Sequence, residues 1–296
     1  MHSNVTSIAQ YLQDEDRSPT ALGLMLAYRL TELREDAGLK AGEAAKLIKV
    51  SPGQFSRLES GKRRWKRDDL VAALRAYGVG PEEDHLTLRL LEESGEKEWS
   101  ASFGSDVLPD WFQLFVGLER AAKVHRFFET RAFPGLLQCE PYARAIVEGD
   151  AMGDATLVRR RLTLRKQRQE HVFRTGSALW VVLEEGVMGR PFGDEDALRA
   201  QLTHLKHLLE SNGNVTVQIL PTSLGVSRPS ASFTHLQFNL EGVSDKVYME
   251  HPAGATYYDE AEDVKRYQET FDRLAGYALD PGLTIGILDK ALTLLG

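Results

Sequence analysis

A single cysteine, Cys139, is all that this 296-residue chain contains. That excludes an intramolecular disulfide framework and any metal site built on several thiolates. No apolar run approaches the ~20 residues that a membrane-spanning helix requires, so no membrane partner is expected. The opening stretch, MHSNVTSIAQYLQDEDRSPT, lacks the basic start and apolar core of a secretory signal. A reducing, cytoplasmic setting is the expectation. A glycine-rich phosphate loop, a metal-ligand spacing of His, Cys, Asp or Glu, internal repeats and low-complexity tracts are also missing. Neither a cofactor nor a metal is expected, and an enzyme is the least expected class.

What the chain does have is an apolar fraction of 42%, enough for packed cores, and a length that suits two domains. The formal net charge of −7 hides an asymmetry, because residues 21–80 hold 12 Lys/Arg against 7 Asp/Glu. An acidic protein with a basic N-terminal segment suits a nucleic-acid module joined to a larger acidic domain. A solvated basic helix face gives the same count.

Residues 1–20 read as a polar leader. From Leu22, apolar residues recur at Leu26, Leu30, Leu33 and Ala37, the steps of an amphipathic helix that Gly38 ends. A short helix over 41–47 turns Ala44, Leu47 and Ile48 inward. Ser51-Pro52 opens a third helix, with Ser51 as N-cap, Pro52 at the first helical position and Gln54 at capping-box spacing. Phe55 and Leu58 face the core there, and Gly61 ends it. A fourth helix carries Leu70, Ala73, Leu74 and Tyr77. A fifth opens at Pro81 and offers Leu86, Leu88, Leu90 and Leu91. Residues 21–93 therefore read as an all-α, five-helix domain, and residues 94–110, rich in Gly, Ser and charge, as a linker. Residues 111–129 read as one helix, with others at 141–148, 155–172, 195–210 and 259–276. β-type runs cover 178–183, 215–220, 233–238, 246–250 and 256–258. Helices first and strands late predict an α+β domain over 111–296 with a mostly antiparallel sheet.

Two short helices, a tight turn and a basic run over residues 41–64 form the arrangement that lays a helix in the major groove of double-stranded DNA. Arg57 is the best base reader, since two hydrogen bonds to guanine O6 and N7 are worth ~1–3 kcal/mol of discrimination. Gly53 and Gln54 share its outward edge, and Gln54 has the alternative of only capping its own helix. Ser51 and Ser56 are phosphate-contact candidates, with N-capping the alternative for Ser51. Lys49, Lys62, Arg63 and Arg64 are phosphate partners that add affinity and salt dependence without sequence choice. A solvated side chain is the alternative for each.

LREDAGLKAGEAAKLIKVSPGQFSRLESGKRR, residues 33–64, resembles the helix-turn-helix of the XRE family, the Cro and lambda-repressor-like type. RDDLVAALRAYGV, residues 67–79, resembles the fourth helix of its actinobacterial members. The resemblance covers residues 22–80. It implies that Arg34 and Glu59 meet as a largely buried, structural ion pair, in which losing one partner costs ~3–5 kcal/mol. Two positions depart from the family pattern: Ala41 stands where a bracing Gln is usual, and Lys49 where the turn usually has Gly. A lysine at positive φ there costs about 1 kcal/mol, or else the turn is reshaped.

Further on, WF at 111–112, LE at 118–119, PGLLQ at 134–138, YAR at 142–144, RKQRQ at 165–169, VQILP at 217–221 and YME at 248–250 occur in order. They resemble the C-terminal domain of unknown function in actinobacterial, antitoxin-like regulators, WhiJ-like proteins among them. The resemblance implies a small partner protein encoded nearby. The cationic run Arg159, Arg160, Arg161, Arg165, Lys166 and Arg168 reads as a contact for an anionic partner, or as a solvated helix paired with nearby acids. Phe127, Phe128, Phe133 and Pro134 line a pocket or belong to the core. His204 and Lys206, the pair Glu184-Glu185, and Cys139 are the enzyme-like features, each with a structural alternative. The expectation from all of this is a sequence-specific transcriptional regulator that binds a pseudo-palindromic operator as a homodimer, with half-sites ~34 Å apart. The C-terminal domain would dimerise or receive a signal. The alternatives are an antitoxin-like protein that sequesters a small partner and autoregulates, or a regulator that senses a small molecule.

Overall fold

Ser18 starts the first long helix: its Oγ accepts from the N–H of Ala21 at 3.3 Å, and Pro19 takes the first helical position. The computed structural model describes residues 5–151 and 153–295. The chain divides into two units, one running to Trp99 and taking in Phe238–Val243, the other Ser100–Gln237 with Ser244 onward.

The first unit is helical. A short α1 (Ile8–Tyr11) precedes α2 (Pro19–Asp36), α3 (Ala41–Leu47), α4 (Pro52–Glu59), α5 (Arg67–Tyr77) and α6 (Pro81–Glu93). On α2 the buried residues Leu22, Met25, Leu26, Leu30 and Leu33 form one stripe, the face a helix must bury. α6 packs against α2, and Arg29 clasps Glu83 across them through two bonds of 2.9 and 2.7 Å. The structure adds detail to the leader and linker readings and departs from the expectation for Leu47. The described part of the leader is anchored, for Ile8, Tyr11 and Leu12 are buried and Tyr11 Oη accepts from Ser18 N–H at 2.9 Å; residues 1–4 lie outside the described ones. Leu47 is not inward but 53% exposed, while Ala45 takes the buried place beside Ala44 and Ile48. The 94–110 stretch is not a bare linker. Glu98 is buried and accepts from Ser18 Oγ at 2.6 Å, Thr20 N–H at 3.1 Å and Thr20 Oγ1 at 2.9 Å. A carboxylate there also complements the positive end of α2.

In the second unit α7 (Asp110–Ala121) is followed by β1 (Val124–Glu129), α8 (Glu140–Asp150), α9 (Ala155–Arg174), β2 (Ala178–Glu184), α10 (Glu195–Ser211), β3 (Val215–Leu220), β4 (Phe233–Gln237), β5 (Lys246–His251), β6 (Gly254–Tyr258), α11 (Ala261–Tyr277) and α12 (Thr284–Leu294). Among the described residues the strands form one sheet in the order β3-β2-β1-β4-β5-β6. β1, β2 and β3 run parallel, and β4, β5 and β6 add antiparallel pairings. The sheet is thus mixed rather than mostly antiparallel. The difference originates in residues 111–129, read from sequence as one helix. The helix stops at Ala121, and VHRFFE becomes β1 at the centre of the sheet. Adjacent strand side chains point to opposite faces: Phe127 joins the core of Leu179, Val181, Leu202 and Leu288, whereas Phe128 joins that of Val182, Phe233, Phe271 and Leu274. Helices cover both faces, the condition under which parallel strands lose their polar alternation. Phe127, Phe128 and Phe133 are therefore core residues.

Candidate nucleic-acid interface

The inner face of α4 is fixed by Phe55 and Leu58, each 1% exposed. Trp65 meets Phe55 edge-on, with ring centroids 6.2 Å apart at 83°, and is itself buried. Sequence reasoning passed over Trp65; the signal was an indole inside the cationic run KRRWKR, where a large apolar ring gains by burial. At the start of α4, Ser51 Oγ accepts from Gln54 N–H at 3.3 Å and Gln54 Oε1 accepts from Ser51 N–H at 3.2 Å. This is a reciprocal capping box. It commits Gln54 Oε1 and the Ser51 hydroxyl to the helix, and the amide hydrogens of Gln54 stay available to donate.

The outer edge of α4 is exposed at Ser51, Gly53, Ser56 and Arg57. Among the described residues Arg57 reaches no acid: its Nε donates to the carbonyl of Gly53 on its own helix at 3.2 Å. A methyl group at Gly53 would meet nothing within 4 Å. The fold therefore does not need glycine at that position, and a bare backbone there leaves room for a close external partner.

The turn before α4 explains Lys49. The N–H of Val50 donates to Ala45 O at 3.0 Å and that of Lys49 to Lys46 O at 3.2 Å, the two bonds of a Schellman C-cap. The geometry requires a left-handed residue, and Lys49 adopts it with φ 60°. Among the described residues it is the sole non-glycine at positive φ. Its exposed side chain stands just ahead of α4. Ala41 is exposed at the first position of α3, where it offers no polar brace.

Lys62 is exposed and Arg63 half-buried. Arg64 departs from this set. Its Nη2 donates to Leu91 O at 3.2 Å, and its guanidinium fills the space that a side chain on Gly95 would need. It is thus held at the C-terminal end of α6, where a cation suits the helix dipole. Behind α4, Arg34 Nε donates to Glu59 at 2.5 Å, with further bonds to Leu39 O at 2.7 Å and Glu35 at 3.0 Å. Burial opposes the Arg34 charge, but the hydrogen bonds and negative charge of Glu59 and Glu35 more than offset it and leave its pKa raised. The pair locks α4 to α2.

The arginines of α9 do not form one surface. Arg168 is buried and bidentate on Glu119 at 2.8 and 2.7 Å, beneath the Phe112 and Phe115 rings. Arg160 bonds Asp106 and the Phe103 carbonyl, and Arg165 bonds Gln138 Oε1. Arg161 lines a cavity of about 340 Å³ together with Asp150 and Glu250. Arg159 stays exposed and, among the described residues, bonds only to Thr156 of its own helix at 3.1 Å.

A family model described as a domain of unknown function (DUF5753) matches residues 112–290. The chain belongs to the DUF5753 family. A helix-turn-helix domain model matches residues 26–86, which contain α3 and α4. No curated protein and no solved structure matches the chain.

Within the DUF5753 unit the enzyme-like features separate. His204 faces a cavity beside α9, whereas Lys206 pairs with Asp289 at 2.6 Å. Glu184 sits 3.7 Å from Arg228, and Glu185 accepts from the N–H and hydroxyl of Thr222 at 2.9 and 2.8 Å. Those bonds hold the Glu185 carboxyl below its usual range, and the two side chains serve different neighbours. Cys139 is half-buried, and burial raises its thiol pKa. Among the described residues no group of three potential ligands gathers for a metal, and no helix is long and apolar enough to cross a membrane.

Proposed function

We propose that this chain is a sequence-specific DNA-binding transcriptional regulator. The observation that carries the reading is the division of α4. One face is locked by Phe55, Leu58 and the Arg34–Glu59 pair, and the opposite edge presents Arg57 on a helix with a bare Gly53 beside it. The matched helix-turn-helix domain supports it. Arg57 reads a base, Gln54 contributes its amide hydrogens, and Ser56, Lys49, Lys62 and Arg63 hold phosphates. A homodimer sets two such helices on a pseudo-palindrome with half-sites ~34 Å apart. The DUF5753 unit dimerises or receives a signal and has no catalytic role, and the protein works in the cytoplasm. The motifs in that unit favour an actinobacterial, antitoxin-like, WhiJ-like regulator, with a small neighbouring-gene protein as its partner.

Gel shifts on the DNA upstream of its own gene test the reading. Arg57→Ala should weaken operator binding by ~5–150-fold, the equivalent of ~1–3 kcal/mol. Lys62→Ala with Arg63→Ala should weaken operator and random DNA alike and flatten the salt dependence. Operator affinity unchanged in Arg57→Ala removes the base-reading role.

A further inference from the structure

Helices α8, α9 and α10 surround an open cavity of about 520 Å³, a volume ordinary for small-molecule sites. Its charges are unequal. Arg144 is answered by Glu140 at 2.6 Å and Glu148 at 3.8 Å, and the exposed Lys166 by Glu170 at 3.8 Å. Among the described residues neither Arg159 nor Arg165 has a carboxylate within ion-pair distance, although Asp150 and Glu250 act on Arg165 from the neighbouring cavity. Arg165 is bonded to the neutral Gln138 carbonyl oxygen and Arg159 to the Thr156 hydroxyl. Burial first, and then the nearby Arg168 charge, pull the Arg165 pKa down to about 10. A half-buried guanidinium whose bonded partner is a neutral amide gains from a bound anion through charge-assisted bonds. Ala143 and Leu162 supply apolar wall beside these cations.

We infer that this cavity binds a small organic anion, its carboxylate or phosphate head on Arg165 and Arg159 and its apolar body against Leu162 and Ala143. The site goes beyond the DNA-binding reading and does not depend on it.

Cys139 lines the same cavity and is the only cysteine of the chain, so its alkylation by the neutral reagent iodoacetamide reports occupancy. The full-length protein is titrated with inorganic phosphate and phenyl phosphate in one arm, and with acetate and benzoate in the other. Sodium chloride at equal ionic strength is the reference, and thermal shift the second readout. Alkylation should slow saturably, at lower concentration for the two aromatic anions than for the two bare ones, with a matching rise in melting temperature. The arm that saturates first names the head group. Arg165→Gln should abolish the protection. Arg159→Ala, on an exposed side chain that the fold does not use, should raise the half-saturating concentration about ten-fold, and it decides the matter if Arg165→Gln does not fold. Alkylation that follows ionic strength alone, or protection unchanged in Arg159→Ala, overturns the inference.

Discussion

Helices α4 and α9 carry their arginines in opposite ways. α4 has one, Arg57, and leaves it exposed, bonded among the described residues only to a carbonyl of its own helix. α9 carries a cationic run over residues 159–168, yet Arg168, Arg160 and Arg165 are each engaged by residues far along the sequence. A count of positive residues therefore overstates how many guanidiniums of α9 lack a distant partner. What decides is whether a distant acceptor reaches the guanidinium first. Burial then sets the magnitude, because a paired charge away from water is expensive to orphan and an exposed pair is worth little.

The largest effect belongs to the buried pair on α9. Glu119→Gln should cost ~3–5 kcal/mol in urea unfolding, because Arg168 then keeps its charge without a partner. A loss below that range would mean that solvent reaches the pair. Arg34→Ala comes next, at about 3 kcal/mol, since Glu59 keeps 15% side-chain exposure. Replacing both Arg34 and Glu59 by methionine should recover part of the loss, as no lone charge remains, and failure to recover would point to a steric role. Lys49→Gly should stabilise the fold by about 1 kcal/mol by relieving the left-handed lysine, while weakening DNA binding evenly across sequences. Arg160→Ala should change stability by less than ~1 kcal/mol, because the Asp106 side chain it holds is 56% exposed. Smallest of all, Arg57→Ala should leave the melting temperature within the ~0.5 kcal/mol equivalent of a surface substitution despite its effect on DNA. A large loss of stability there would erase the contrast between the two helices.

The helix-turn-helix was legible because its signals are local. The Ser51–Gln54 box, Pro52, Gly61 and the spacing of Phe55 and Leu58 act within one or two turns, and the structure places each where the pattern puts it. Leu47 was misread because a seven-residue helix shows too little period to separate its inner from its outer face. Trp65 and Arg64 were missed as structural residues because their partners, Phe55 and the end of α6, come from other elements.

The sequence by itself determined the helices α2 to α6 of the first unit, the cap of α4, the outward place of Arg57 and the positions of five strands. In each case neighbouring residues carry the information, through helical or strand period and backbone chemistry. Only the tertiary structure decided that VHRFFE is a central strand, that the sheet is mixed, that Glu98 and Phe238–Val243 belong with the first unit, and which arginines of α9 are spoken for. Those outcomes depend on contacts between residues tens of positions apart. There, burial on two faces and the pairing of distant charges outweigh any local preference.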